Sequence, residues 1–330
     1  MSYTPLHIHT EYSLLDGAIR VKPLVKYLKQ VGIKSCSITD HGWCAGAVAF
    51  YKECKKGGIK PLLGVEAYTT LDPDGQDKTN KDLWHRDNMH MVLLAKDNEG
   101  WSGILQLASE AALDNFYYKP RIYLPKLERL SGHVVATSAC LGGVLSKNLW
   151  FKEDHYGRVQ KCVDESNLAA DMADQLASYF PGDFYLELQD WEDGTNKNTA
   201  FIQYLLQLGE KTGLPFVITS DAHYITKEDH KTHELLMAMQ LKISVEEYRN
   251  DISQFKYGNY FYVKTPEEML ESARHLGRED AYHNTNKIAD KCNVSLTLGK
   301  YQIPEFNITE MEDYDDFLNW HKERNTRSTG

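Results

Sequence analysis

Short apolar segments alternate with amphipathic helical segments along the first two thirds of the chain, which leaves few folds open. Strands are expected at residues 5–10, 35–40, 60–69, 90–96, 133–140, 183–189 and 214–223. Helices, with apolar residues three or four positions apart, are expected at residues 21–32, 47–58, 99–113, 164–178 and 199–213. Because a helical connection brings consecutive strands side by side in parallel, the alternation predicts a parallel sheet, either open or closed into a barrel.

The pattern changes after residue 224, where helical segments dominate. Residues 227–300 are expected to be mostly helical, with one short aromatic strand at residues 259–264. The remaining residues are acidic and rich in loop-forming types, and the final NTRSTG is typical of a disordered tail. The sequence therefore predicts a domain at residues 1–285 and a C-terminal extension or linker at residues 286–330.

The composition is that of a soluble globular protein, since 42% of the 330 residues are hydrophobic and 25% are charged. The sequence shows neither a membrane-spanning apolar run nor a signal peptide. Six cysteines without CxxC pairs suit free thiols in a reducing cytoplasm. The net charge of −10 argues against broad, sequence-independent nucleic acid binding, which needs a basic face. An enzyme that admits a single strand end remains possible.

Two histidines near the N-terminus, His7 and His9, are separated by one residue in a strand-like segment. Side chains of a strand alternate between its faces, so both imidazoles should point the same way, as two ligands of one metal ion would. Further potential ligands are Asp16 and residues of three segments: TDH at 39–41, GVE at 64–66 and SDAH at 220–223. Each one alone also fits a structural role such as a helix cap, a lysine pair or a solvated turn.

The candidate ligands fall at or just beyond the ends of predicted strands, except for His90, which begins its strand. The carboxyl ends of the strands of a (β/α) barrel converge on one mouth, so this distribution favours a barrel over an open sheet. The candidates are His7, His9, Asp16, Asp40, His41, Glu66, His90, Cys140, Asp221 and His223. Zinc and manganese accept such nitrogen, oxygen and sulfur ligands, and about nine of them would hold two or three ions, with Glu66 as the natural bridging carboxylate.

Five short segments together resemble the PHP (polymerase and histidinol phosphatase) domain of the bacterial DNA polymerase III alpha subunit. They are HIHTEYSLLDG, SITDHG, GVEAY, SACLGG and SDAHY. The segments FYYKPRI and MQLKIS are also typical of these polymerases, and the resemblance covers roughly residues 3–300. It implies a distorted seven-stranded (β/α) barrel with a metal cluster at its mouth and a mostly helical C-terminal extension.

The resemblance also implies a complete set of nine ligands for three divalent ions, which could be zinc, manganese or iron. By analogy, one ion takes His7, His9, Glu66 and Asp221, a second takes Glu66, His90 and Cys140, and a third takes Asp16, His41 and His223. The implied activity is a metal-dependent phosphoesterase, a proofreading 3′–5′ exonuclease in which activated water attacks a phosphodiester at a single-stranded DNA 3′ end. A polymerase core or other replication subunits are the implied protein partners.

Two other functions share the same ligands: a small-molecule phosphatase of the histidinol phosphatase type, and a metal-stabilised docking module of a replicative polymerase. The polymerase-like segments weigh against the first, and the intact ligand set weighs against a purely structural role. No carboxylate pair in a strand context follows residue 240, and DPDG at residues 72–75 has the composition of a turn, so this chain alone should not polymerise DNA. It is expected to be either a free-standing domain or the front part of a longer polymerase.

Two residues outside the ligand set are candidates for a supporting role in catalysis. Asp40 is expected to orient a ligand such as His41. Arg121, with Lys119 and nearby tyrosines, could guide a DNA strand by charge and stacking, although an ordinary surface loop is favoured for this segment. The other histidines match no ligand motif and are expected to be ordinary.

Overall fold

The computed structural model describes residues 2–72, 88–155, 157–191, 195–251 and 256–300, together with residues 318, 319 and 322. It divides into two compact units, Met1–Ser295 and Leu296–Gly330. The helices and strands discussed below belong to the first unit. Residues 73–75 of the predicted turn and the whole of the predicted tail, residues 325–330, lie outside the described residues.

Most of the predicted strands are present with shifts of a few residues at their ends. The strands are β1 (Ser35–Ile38), β2 (Lys60–Thr70), β3 (Met89–Ala95), β4 (Phe116–Tyr117), β5 (Lys119–Tyr123), β6 (Val134–Thr137), β7 (Trp150–Glu153), β8 (Val159–Val163), β9 (Phe184–Leu188) and β10 (Phe216–Ile218). The wall of the barrel follows the order β1, β2, β3, β6, β9, β10. Strands β7 and β8 form a separate hairpin that the sequence did not predict.

Residues 5–10 close the barrel between β1 and the loop after β10. On one side the amide of Thr39 donates to the carbonyl of Ile8 (3.0 Å), and on the other the amide of His9 donates to the carbonyl of Ala222 (2.8 Å). The segment carries isolated bridges rather than a regular ladder, because the amide of Ile8 bonds the hydroxyl of Thr39 instead of a carbonyl. Counting this segment, the predicted distorted seven-stranded barrel is confirmed in the described part of the chain.

Strand β3 runs antiparallel to both of its neighbours, β2 and β6, whereas the other pairs of the barrel wall are parallel. The prediction of a wholly parallel sheet was therefore wrong at β3. Residues 71–88, which precede this strand, have no helical pattern in the sequence, and only a long crossover forces parallel pairing. The reversal places the beginning of β3 at the mouth, so His90 lies there like the other candidates.

Helices cover the outside of the barrel and form most of the region after β10. They are α1 (Val21–Gln30), α2 (Ala47–Gly57), α3 (Asn98–Leu113), α4 (Leu168–Tyr179), α5 (Lys197–Thr212), α6 (His230–Leu241), α7 (Val245–Asn250), α8 (Pro266–His275) and α9 (Glu279–Lys291). The predicted apolar face of α1 is buried through Leu24, Val25 and Leu28. The mostly helical C-terminal region is confirmed, and its predicted aromatic strand is reduced to a single bridge between Tyr224 and Tyr262.

The last helix, α9, belongs to the barrel rather than to a separate extension. It packs on β10, and its residues Ile288 and Ala289 join Leu6 and Val92 in one hydrophobic core cluster. The first compact unit extends to Ser295, and the functional boundary at residue 285 stays a prediction.

The segment FYYKPRI forms the hairpin of β4 and β5, and β5 extends the sheet in parallel to β2. The expectation of an ordinary surface loop was wrong for Arg121, whose side chain is fully buried because β5 lies between β2 and α3. Its guanidinium carbon lies 5.2 Å from the ring centroid of Tyr117. Lys119 and Tyr118 are exposed.

Candidate metal centre

The nine predicted ligands come together at the mouth of the barrel, because each lies in an element or loop that ends there. His7 and His9 come from the N-terminal segment, Asp16 from the loop after it, His41 from the loop after β1, Glu66 from β2, His90 from β3, Cys140 from the loop after β6, and Asp221 and His223 from the loop after β10. The nine donor groups are buried or half-buried. Their assignment as metal ligands stays a prediction, which the following geometry supports.

Four side chains form the most regular group of donor atoms. His7 Nε2 lies 3.1 Å from His9 Nε2, 3.2 Å from an oxygen of Glu66 and 3.3 Å from Asp221 Oδ1. His9 Nε2 lies 3.3 Å from the other oxygen of Glu66 and 3.2 Å from Asp221 Oδ1. Tetrahedral zinc with bonds of 2.0–2.1 Å separates its ligand atoms by about 3.3–3.4 Å. These four side chains therefore match the spacing of one metal site.

Three of the histidines are fixed through Nδ1, which leaves Nε2 directed at the cluster. His7 Nδ1 lies 2.7 Å from the Glu187 carboxylate, and His223 Nδ1 lies 2.8 Å from the carbonyl of Asp221. His9 Nδ1 lies 3.1 Å from the hydroxyl of Ser13. Because the acceptors of His7 and His223 cannot donate, Nδ1 carries a proton in both rings, and each ring in its neutral form offers the Nε2 lone pair to a cation.

Glu66 lies at the centre of the cluster. Its two oxygens approach His7 and His9 on one side, His41 Nδ1 at 2.6 Å, and His90 Nδ1 at 3.0 Å. Cys140 Sγ lies 3.6 Å from His90 Nδ1, on the far side from His7. A carboxylate that contacts several groups of donors in this way suits the bridging role predicted for it.

A third group of donors surrounds Asp16. Its Oδ2 lies 2.8 Å from His41 Nε2 and 3.7 Å from His223 Nε2. The hydroxyl of Tyr257, from the region after β10, donates to Oδ1 of the same carboxylate (3.1 Å). His41, His223 and His9 also lie close enough for one donor atom of each to share an ion. The donor groups overlap through His9, His41 and Glu66, and the division of the ligands among three ions stays a prediction.

Several buried donor atoms of the cluster form no well-directed hydrogen bond with any described residue, although they lie within ion-pair distance of one another. They are both oxygens of Glu66, Asp221 Oδ1, His41 Nδ1 and His223 Nε2. Leaving a buried polar or charged group unpaired is costly, so such atoms collected at one place indicate a missing partner of opposite charge. Divalent cations are the partner that suits carboxylate, imidazole and thiol groups together, and the residues therefore fit the metal ions that the sequence implies.

The charges of the cluster act strongly on one another. Burial opposes ionisation of His41, but the carboxylates of Glu66 and Asp16 outweigh it and raise its pKa to about 10. Burial also opposes ionisation of Glu66, and the imidazoles of His90, His41 and His7 outweigh it and hold the pKa of this carboxyl well below its usual range. Carboxylates and protonated imidazoles therefore coexist here, and cations must displace protons to bind.

Two non-glycine residues next to ligand positions adopt left-handed backbone conformations. Asp221 has φ of 48°, and Ala139, which precedes Cys140, has φ of 55°. Left-handed backbone is costly for residues with a side chain and is retained where the surroundings require it, as at functional sites. These turns direct Asp221 and Cys140 at the mouth.

Aromatic side chains line the entrance to the cluster. A cavity of about 190 Å³ reaches His90, Cys140 and Asp221, and its wall includes Trp191, Tyr257 and Phe261. A smaller opening of about 70 Å³ lies on the other side of His41, where Trp43, Tyr68 and Lys119 form the wall. Both openings lead to the same group of donors.

The two supporting residues lie at different distances from the candidate ligands. Asp40 accepts hydrogen bonds from the hydroxyls of Thr10 and Ser13, and the Ser13 hydroxyl contacts both His9 Nδ1 and the backbone amide of His41. The role of Asp40 stays a prediction. The buried guanidinium of Arg121 cannot touch a substrate without rearrangement, whereas Lys119 lies at the smaller opening, 5.0 Å from the ring centroid of Tyr68.

Sequence reasoning missed Glu187 and misjudged His233. Glu187 is buried, binds His7 and accepts from the hydroxyls of Thr137 and Thr219. Its only sequence signal is an acidic residue inside the apolar strand DFYLELQ. His233 is fully buried and donates from Nε2 to the carbonyl of Asp16 (2.7 Å), so it supports the loop that carries a ligand.

Replacing Glu187 by glutamine should weaken cation binding about 10–100-fold, because the acceptor that holds the tautomer of His7 loses its charge. Isothermal titration calorimetry of chelator-treated protein with zinc or manganese measures the change in affinity. The matched control is Glu210→Gln on the exposed face of α5, which should bind as the parent does. Equal affinities in the two variants would contradict a positioning role for Glu187.

The fold and the site together define an α/β-barrel protein whose mouth carries a candidate metal centre of histidines, carboxylates and a thiol. The chain belongs to the PHP domain family, whose model matches residues 5–191. The matched region contains seven of the nine candidate ligands, and Asp221, His223 and Tyr257 lie beyond it. The resemblance seen in the sequence motifs is thereby confirmed.

The chain is similar to DNA polymerase III alpha subunits of several bacteria. It is 35% identical to that of Helicobacter pylori (strain ATCC 700392 / 26695) over 97% of this chain and 26% of the relative. For Thermus aquaticus the identity is 34%, over 94% of this chain and 24% of the relative. The chain thus spans about a quarter of the length of these relatives.

Among solved structures, an amidohydrolase from Chromobacterium violaceum aligns with 67% of this chain and 87% of its own, at 14% identity and a TM-score of 0.40. That likeness is too low to inform function. Among the described residues, no helix has both the length and the apolar character needed to cross a membrane.

Proposed function

We propose that this chain is a metal-dependent phosphoesterase that cleaves phosphodiester bonds at the 3′ end of single-stranded DNA, as a proofreading 3′–5′ exonuclease does. One observation carries the proposal. The Nε2 atoms of His7 and His9 converge with oxygens of Glu66 and Asp221 at 3.1–3.3 Å while protein acceptors hold the opposite ring nitrogens. Donor atoms of four side chains from three separate elements thus lie at the mutual distances that the ligands of one tetrahedral cation would have.

The residues that would hold two or three zinc, manganese or iron ions are the three donor groups described above. Bound divalent cations supply Lewis acidity and charge neutralisation for the attack of water on phosphorus. Glu187, Ser13 and the carbonyl of Asp221 keep the imidazoles in the binding orientation. Glu66 shares its negative charge between the groups, which allows cations to lie close together.

The shape of the entrance supports a polymeric substrate. The main cavity, about 190 Å³, is smaller than the roughly 300–1,000 Å³ of a pocket that encloses a whole small ligand, so a phosphate group enters while the rest of the substrate stays outside. Trp191 and Phe261 offer aromatic surfaces beside it, on which bases can stack. The relatives carry the name of DNA polymerase III subunits, and we extend DNA as substrate, and a replicative polymerase as partner, from that name.

The test is hydrolysis of three substrates by chelator-treated protein reloaded with manganese or zinc: 3′-labelled single-stranded DNA, the same DNA with a blocked 3′ end, and a generic phosphomonoester. We expect mononucleotide release from the unblocked DNA alone. Preference for the monoester would instead indicate a small-molecule phosphatase. Absence of hydrolysis by fully loaded protein would indicate a structural or docking module and contradict the proposal.

A further inference from the structure

A basic groove lies on the outside of the barrel between α1 and α2. Its walls carry Arg20, Lys22, Lys26, Lys29 and Lys56, against a single carboxylate, Glu53. The five cationic side chains are exposed. A local excess of positive charge of this size is unexpected on a chain whose net charge is −10.

The charges of the groove are not neutralised by the protein itself. Arg20 approaches Glu11 at 3.9 Å, and the four lysines form no ion pair with any residue that the structure describes. What distinguishes the groove is therefore the number of such cations gathered in one place, with Glu53 as the carboxylate among them. The groove therefore presents positive charge that is available to an anionic partner.

The lysines follow one face of α1 in a regular spacing. Lys22, Lys26 and Lys29 are four and three positions apart, so they lie in a row that spans roughly 10 Å along the helix axis. Lys56, in the last turn of α2, faces the end of that row. A row of cations matches a chain of phosphates better than it matches one small anion.

The groove begins next to the candidate metal centre. α1 starts directly after the loop of residues 11–20, which carries Asp16, and the amide of Val21 donates to the carboxylate of Glu11 in that loop. The amide of Ala18 donates to the carbonyl of His223, so this loop also contacts the far side of the cluster. The N-terminal end of the groove is therefore linked through one loop to the residues at the mouth.

We propose that this groove binds the phosphate backbone of single-stranded nucleic acid and holds the strand whose end enters the mouth. That the end of this strand enters the mouth rests on the proposed function, whereas binding of the strand to the groove does not. An acidic protein segment is the other partner that such charge could attract. Continuity with the mouth favours the nucleic acid.

The test is fluorescence anisotropy of a labelled oligodeoxynucleotide with the full chain, in chelator and over a range of salt concentrations. The groove variant is K22Q/K26Q/K29Q, since glutamine preserves helix propensity at exposed positions. The matched control is K161Q/K211Q/K231Q, which removes three exposed lysines from other elements. The groove variant should lower the slope of log affinity against log salt by about 2, since single strands give about 0.7 per phosphate contact. It should also bind DNA about tenfold more weakly at low salt, and the control should match the parent.

Equal losses of DNA affinity in the two triple variants would overturn the proposal, because the net charge of the chain would then explain binding. Tighter binding of polyglutamate than of DNA, abolished in the groove variant, would overturn it in favour of an acidic protein partner. Mononucleotide release from unblocked single-stranded DNA by the metal-loaded parent separates this proposal from the proposed function. If the parent releases no mononucleotides, the proposed function fails while the binding result, which is obtained in chelator, stands.

Discussion

Glu66→Gln should release most of the bound cation and lower phosphodiester hydrolysis by at least about 10²-fold. Loss of a residue that merely orients a metal ligand already costs about 10–100-fold, and Glu66 contacts four candidate ligands directly. Glutamine has nearly the same shape but no charge, and its amide group would point donors at imidazoles that should themselves donate electron pairs. Elemental analysis of the purified variant and turnover of labelled DNA measure the two effects.

The matched control for this substitution is Glu99→Gln, in the first turn of α3, where the carboxylate is exposed. It changes the net charge equally and should keep the parent's metal content and rate. If Glu66→Gln retains a full complement of cations with normal turnover, the carboxylate does not bridge metal ions and the donor groups have another purpose. Circular dichroism checks that the variant is folded before either result is interpreted.

The candidate ligands could be located from the sequence because local rules fix them. The period of two in an extended segment places His7 and His9 on one side, and the Nε2 atoms are indeed 3.1 Å apart. The convergence of strand ends in a barrel brings in residues far apart in the chain, such as Cys140 and His223. These rules need only the strand positions, which apolar runs reveal.

The direction of β3 could not be read in the same way. Its apolar pattern is the same whichever way it runs, and the connection before it carries no helical pattern to force a parallel crossover. The anomalous position of His90 at the beginning of its strand was the one available signal. A ligand at the amino end of a strand can reach the mouth only if that strand is reversed.

The supporting residues escaped prediction because tertiary packing selects them. Glu187 is held by Thr137 and Thr219, which come from other strands, and no spacing rule links the three. Tyr257 and His233 reach Asp16 from the helical region after the barrel. Arg121 looked exposed because charged side chains usually are, and only its place between β2 and α3 buries it.

Removing the cations with a chelator should lower the melting temperature by roughly 10 °C. A ligand present at about 1,000 times its dissociation constant stabilises the folded state by about 4 kcal/mol, and for a domain of this size each kcal/mol shifts the melting temperature by about 2 °C or more. The stabilisation is lost because the buried carboxylates of Glu66 and Asp221 would then have only imidazoles to offset their charge. Differential scanning calorimetry with and without chelator measures the shift.

The decrease in melting temperature caused by the chelator should become larger between pH 7 and pH 9. In metal-free protein, protonated His41 replaces part of the missing positive charge, and its folded pKa of about 10 lies above the ordinary value of 6.5. That contribution is complete below about pH 6.5 and is lost as the pH rises through 10, while cations bind more tightly as protons leave the ligands. The Glu66→Gln variant, which should hold little cation, is the control and should melt alike with and without chelator. A shift that shrinks as the pH rises would show that His41 does not compete with cations for the carboxylates.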